Sequence, residues 1–111
     1  WFRGDGGDTR TAAELASTRS AALKHTGGTA ESIHMDMIRL AFSTRSSIAI
    51  APMQDFLGLG SSARLNRPGT TENSWRWRMQ SGAIRPALVA RVAGMVRSAS
   101  RTPVKPLDSA A

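Results

Sequence analysis

The chain has 111 residues and no cysteine, and its 15 Lys and Arg against 8 Asp and Glu give a formal charge of +7. That length allows one core at most, and the lack of thiols excludes a disulfide framework or a thiolate metal site while agreeing with a cytoplasmic location. The positive excess suits polyanions, anionic membranes or simple solubility, and the scatter of the arginines along the chain favours solubility.

The opening WFRGDGGD has neither the basic start nor the apolar middle of a signal peptide. Every apolar run is also too short to span a bilayer, so no membrane partner is expected. Asp5-Gly6-Gly7-Asp8 is turn chemistry, and Thr11-Ala12-Ala13-Glu14 has capping-box spacing. The helix this opens should run to Lys24 and His25, cations suited to a helix C-terminus, and stop at Gly27-Gly28. A second helix is expected from near Thr29, with Glu31 in its first turn and Ile33, Met37, Leu40 and Ala41 on one apolar face.

Ile48-Ala49-Ile50-Ala51 is apolar on both faces and ended by Pro52, the pattern of a buried parallel strand. Residues 54 to 82 read as a long loop punctuated by Gly58, Gly60, Pro68, Gly69 and Gly82, with Trp75-Arg76-Trp77 briefly extended. A loop of that length in a compact domain tends to be functional. Pro86 suits a helix N-terminus, and Leu88, Val89, Val92, Met95 and Val96 make a stripe opposite Arg91 and Arg97. Residues 102–111 form a polar, Pro-interrupted tail expected to be flexible, which leaves 1–101 as the structured part. Three or four helices and one strand result. A parallel strand needs neighbours for its backbone groups, and this chain does not contain them, so the sequence looks like a piece of something larger.

Gly58-Leu59-Gly60-Ser61-Ser62-Ala63 fits the spacing of a dinucleotide-binding turn. The context argues against it. Six residues separate the strand from the first glycine, Asn66-Arg67-Pro68-Gly69 breaks any following helix, and no second strand with an acidic tip follows. His25 and His34 are nine apart, with no acidic or cysteine partner at ligand spacing, so no metal site is expected.

The stretch PMQDFLGLGSSARLNRPGTTENSWRWRM, Pro52 to Met79, closely resembles the signature near the C-terminal end of the amylomaltases, the 4-alpha-glucanotransferases or disproportionating enzymes. Met37-Ile38-Arg39-Leu40-Ala41 before the strand and the helix after Ile84 follow the family's order, and Trp1-Phe2-Arg3 resembles the segment after its His-Asp-Asn motif. Ser62 stands where the family usually has Glu, Phe56 replaces a leucine and Leu65 a methionine. The resemblance implies an α/β architecture, the C-terminal portion of a (β/α)8 barrel. Ile48 to Ala51 would be the last strand, and residues 54 to 82 the final loop on the catalytic face.

What the resemblance implies chemically is retaining transfer of α-1,4-glucan segments to a sugar acceptor, a transferase activity of carbohydrate metabolism that needs two carboxyl groups and no cofactor or metal. Asp55 is the one acid near the mouth of the expected strand, so the fragment alone should be inert. The nucleophile and acid/base would lie upstream of Trp1, in the remainder of the barrel. Asn66, Gln54 and Asp55 are then the candidate substrate-binding residues for malto-oligosaccharides, with Pro68, Gly69, Gly58 and Gly60 shaping the loop. Asn66 could instead close an Asx turn, and Gln54 and Asp55 could bond loop amides. Trp75 and Trp77 could stack on sugars, although anchoring a core or loop is the commoner use of Trp. The alternative reading is a small basic module binding nucleic acid or another polyanion, whose affinity would fall steeply with salt. On the resemblance no nucleic acid is expected as a partner.

Overall fold

A computed structural model of the chain describes residues 1–4 and 8–101. The Asp5-Gly6-Gly7-Asp8 turn lies largely outside the described residues, and the 102–111 tail wholly so.

Helix α1 spans Ala12–Thr26 and begins and ends as its sequence dictates. The Thr11 hydroxyl accepts the Glu14 N–H at 3.3 Å, the Glu14 carboxylate accepts the Thr11 N–H at 2.8 Å, and Gly27 closes the other end in the left-handed region. α1 has no buried residue. It serves as a post to which the N-terminus is tied. Arg19 donates to the carbonyls of Phe2 and Arg3 at 2.6 Å each, with its guanidinium over the Phe2 ring, and Arg10 donates to the carbonyl of Trp1.

Helix α2, Ile33–Phe42, starts later than the sequence suggests, because residues 30–32 form a turn. Ile33 is buried as expected, but the rest of the buried face differs from the expected one. Met35, Ile38 and Phe42 point into the core with Met95, whereas Met37 and Leu40 are 37% and 42% exposed and Ala41 is exposed too. Both stripes are apolar at helical spacing, so periodicity alone could not say which one the chain covers.

Ile48 to Ala51 forms no strand. Among the described residues no strand pairs with it, and the backbone groups have no ladder to join. The small Ala49 and Ala51 pack against the core while Ile48 and Ile50 stand 75% and 88% exposed, so the segment alternates as extended chain does.

The expected loop opens on a short helix, α3, Met53–Phe56, and contains a 3-10 turn at Ser61–Ala63. Helix α4, Pro86–Ser98, places Pro86 in its first turn and buries Met95, with Val92 and Val96 partly buried beside it; Val89, expected on this stripe, is 54% exposed. Its C-terminal turn is a Schellman motif with Ser100 left-handed at φ 53°: the Ser100 N–H reaches Arg97 O at 2.9 Å and the Arg101 N–H reaches Val96 O at 3.0 Å.

The core is small, centred on Met35, Ile38, Phe42 and Met95. Phe56 from α3 meets Phe42 with ring centroids 6.3 Å apart, which docks the loop's first turn onto α2.

Candidate functional site

A cleft of about 560 Å³ lies where the N-terminal segment, the start of α2 and the loop after Pro52 converge. Gln54, Asp55 and Asn66 all line it, as do Gly58, Gly60 and Pro68; Gly69 does not. From across the cleft come Phe2, Arg3, Glu31 and His34. None of these was assigned to a site from the sequence. Arg19 holds the backbone of Phe2 and Arg3, and the packing of α3 on α2 sets Gly58 over His34, long-range contacts with no local signature.

Each candidate residue has a definite setting. Gln54 is buried, and its Nε2 donates to Ala63 O at 3.1 Å, so its side chain spans the base of the loop. Its role here is support from within the wall. Asp55 is exposed, and its carbonyl accepts the Gly58 N–H at 3.1 Å. Asn66 is exposed on the cleft, and no hydrogen bond holds its amide among the described residues, so no Asx turn engages it. An unengaged amide there can both donate to and accept from a polyhydroxylated ligand.

The loop is shaped by its turn residues. Pro68 and Gly69 are the central residues of a turn closed by the Thr70 N–H on Arg67 O at 3.1 Å, and the φ of 80° at Gly69 suits the type II arrangement. Gly58, at φ 64°, ends α3 directly over His34; a Cβ there would sit 3.1 Å from His34 Nε2. The glycines then lead into one 3-10 turn and not a helix, so no helix N-terminus faces a pyrophosphate as a dinucleotide turn requires.

Among the described residues two carboxylates border the cleft: Asp55 and also Glu31, which sequence reasoning did not place at a site. The Thr29 hydroxyl and the backbone amide of Glu31 bond its carboxylate and hold its pKa below the usual range. Behind the cleft, Asp36 is buried on α2. It accepts the Ser32 hydroxyl and the Arg39 guanidinium, and these partners, with the Arg91 charge adding to them, lower its pKa against the opposing effect of burial. Arg10, Arg19, Arg39, Arg78 and Arg101 all donate to the chain's own carboxylates or carbonyls. Arg10 and Arg39 are paired with carboxylates, and the other three are turned onto carbonyls of the chain itself.

Among the described residues no helix is long and apolar enough to cross a membrane.

Comparison with known proteins agrees with the resemblance read from Pro52 onward. The family model described as 4-alpha-glucanotransferase matches residues 1–84. The chain is 54% identical over 48 residues to a 4-alpha-glucanotransferase of Synechocystis sp., a match covering 43% of this chain and 10% of that protein. It is 47% identical over 64 residues to the chloroplastic/amyloplastic 4-alpha-glucanotransferase of Arabidopsis thaliana, covering 57% of this chain and 11% of that one. With the Thermus thermophilus 4-alpha-glucanotransferase the identity is 34% over 71 residues, covering 64% and 14%. The chain thus corresponds to between a tenth and a seventh of the length of these relatives.

Proposed function

This chain belongs to the 4-alpha-glucanotransferase family, and on that premise we propose that it is the C-terminal portion of a cytoplasmic (β/α)8-barrel enzyme that transfers α-1,4-glucan segments between sugars. The observation that carries the reading is the convergence of Asp55 and Asn66, with Gln54 behind them, on one cleft inside the matched region. The exposed faces support it: Ile48 and Ile50 lie in an extended segment that joins no ladder among the described residues, and Met37 and Leu40 are also exposed. A barrel sheet and its neighbouring helices would cover both.

In this reading the reaction is a double displacement with retention. A carboxylate attacks the anomeric carbon as the glycosidic bond breaks, a carboxylic acid protonates the departing oxygen, and the same group later deprotonates the acceptor hydroxyl. The carboxylates of the described residues are not read as that pair. A general acid needs a raised pKa, whereas the Thr29 hydroxyl and its own backbone amide lower that of Glu31. Both catalytic groups are assigned to the rest of the protein, and the isolated chain is expected to be inactive.

The residues present then bind and position. The Asn66 amide meets sugar hydroxyls, Asp55 accepts a hydroxyl at the cleft mouth, and Gln54 keeps the wall in register through Ala63. The α-glucan is the partner, together with the remainder of the barrel. Reading the coding frame upstream of Trp1 and expressing its whole product tests this. Disproportionation of maltotriose by that product and none by the isolated chain is the expected result; an inactive whole product would defeat the proposal.

A further inference from the structure

Trp75 is held in an unusual state. Its side chain is 67% exposed, and its backbone lies in the left-handed region at φ 60°, as does that of Asn73 at φ 56°. Bulky residues avoid that region. Bonds on both sides fix it there: the Trp75 N–H donates to Leu65 O, and the Arg78 guanidinium donates to Trp75 O at 3.2 Å and to Trp77 O at 2.9 Å. Leu65 lines the cleft next to Asn66. Between the two left-handed residues, Ser74 Oγ is buried without a partner among the described residues.

The usual role of Trp as an anchor thus falls to the half-buried Trp77, and Trp75 is left with its indole in solvent. Backbone conformations of this kind persist where the surroundings enforce them, and they cluster at ligand clamps. We infer that Trp75 is a stacking platform for a glucose unit of an α-1,4-glucan chain that leaves the cleft past Leu65 and Asn66; this rests on the function proposed above. The apolar C–H face of a pyranose matches the indole face. Because the backbone is already fixed, little ordering remains to be done on binding. A polyanion surface is disfavoured because Arg78 is turned onto the loop's own carbonyls.

The site lies beside the cleft, so it should sense long glucans and not short ones. In the whole protein, Trp75→Ala is expected to raise KM for maltoheptaose by about three- to tenfold. KM for maltotriose and both kcat values should stay unchanged, and Trp75→Phe should restore most of the loss. Acrylamide quenching, taken as the difference between wild type and Trp75→Phe, should show an accessible indole that maltoheptaose protects. An unchanged maltoheptaose KM in Trp75→Ala overturns the inference alone. So does an indole already shielded without sugar, because protein then covers it. If Trp75→Ala does not fold, the quenching difference decides: protection by maltoheptaose is expected, and an indole that maltoheptaose leaves equally accessible overturns the inference. A wild-type protein inactive on maltotriose overturns the function and this inference together.

Discussion

Arg101 donates its Nε to the carbonyl of Phe42 at 2.7 Å, joining residues 59 apart, and its second nitrogen reaches Thr44 O at 3.1 Å and Ser46 O at 2.9 Å. The last carbonyls of a helix lack intrahelical partners, and α2 therefore has its C-terminus capped by a cation from beyond α4. The Schellman turn at Ser100 aims that cation.

Two substitutions separate the parts of this latch. Arg101→Ala should speed amide exchange in α2 and α4 by an amount equivalent to about 1–3 kcal/mol, since charged hydrogen bonds to part-buried carbonyls are lost. Ser100→Gly should slow it, by up to about 1 kcal/mol, because glycine adopts φ 53° without the Cβ penalty. Faster exchange in Ser100→Gly would contradict this account, because relaxing the turn would then loosen the latch.

Gly28 and Gly94 should respond oppositely to alanine. A Cβ at Gly28 would overlap the Asp36 carboxylate and crowd Ser32 Oγ at 3.0 Å, whereas one at Gly94 meets nothing within 4 Å. Gly28→Ala is expected to destabilise by about 1–3 kcal/mol, as overpacking does. Gly94→Ala should stabilise α4 by about 1 kcal/mol from helix propensity. Denaturant midpoints followed by helical circular dichroism give both numbers, and a neutral Gly28→Ala would mean that Asp36 moves freely.

How much of this was legible in sequence depends on how local each cause is. Thr11, Glu14 and Gly27 define α1 through contacts three or four residues apart, and Pro68-Gly69 carries its turn in two residues. The buried face of α2 was not legible, because Met35, Ile38 and Phe42 compete with Met37, Leu40 and Ala41 on equal terms until Met95 chooses between them. Glu31 and His34 were missed at the cleft for a similar reason: only the packing of α3 on α2, which sets Gly58 over His34, brings the loop to them. Ile48 to Ala51 reads as a strand, yet a strand is a pairing property and the described residues offer no pair.

Acid should act through Asp36. Its folded pKa is lowered by the Ser32 hydroxyl and the Arg39 and Arg91 charges, so its ionised form stabilises the fold. That contribution is fully present above the unfolded value of about 4 and is lost as the pH falls through the lower folded value. α2 helicity should hold constant from pH 7 to 5 and decline below about pH 4. Asp36→Asn should lower helicity at pH 7 and flatten the decline. An unaltered acid profile in Asp36→Asn would place the titration on another carboxylate.

The decisive measurement is kcat/KM for maltotriose disproportionation by the whole protein carrying Asn66→Ala. If Asn66 holds a sugar hydroxyl in the transition state, the loss should be about 1–3 kcal/mol, roughly five- to 150-fold, with the folded state intact by circular dichroism. A folded Asn66→Ala protein with wild-type kcat/KM would contradict the assignment of this cleft to the glucan.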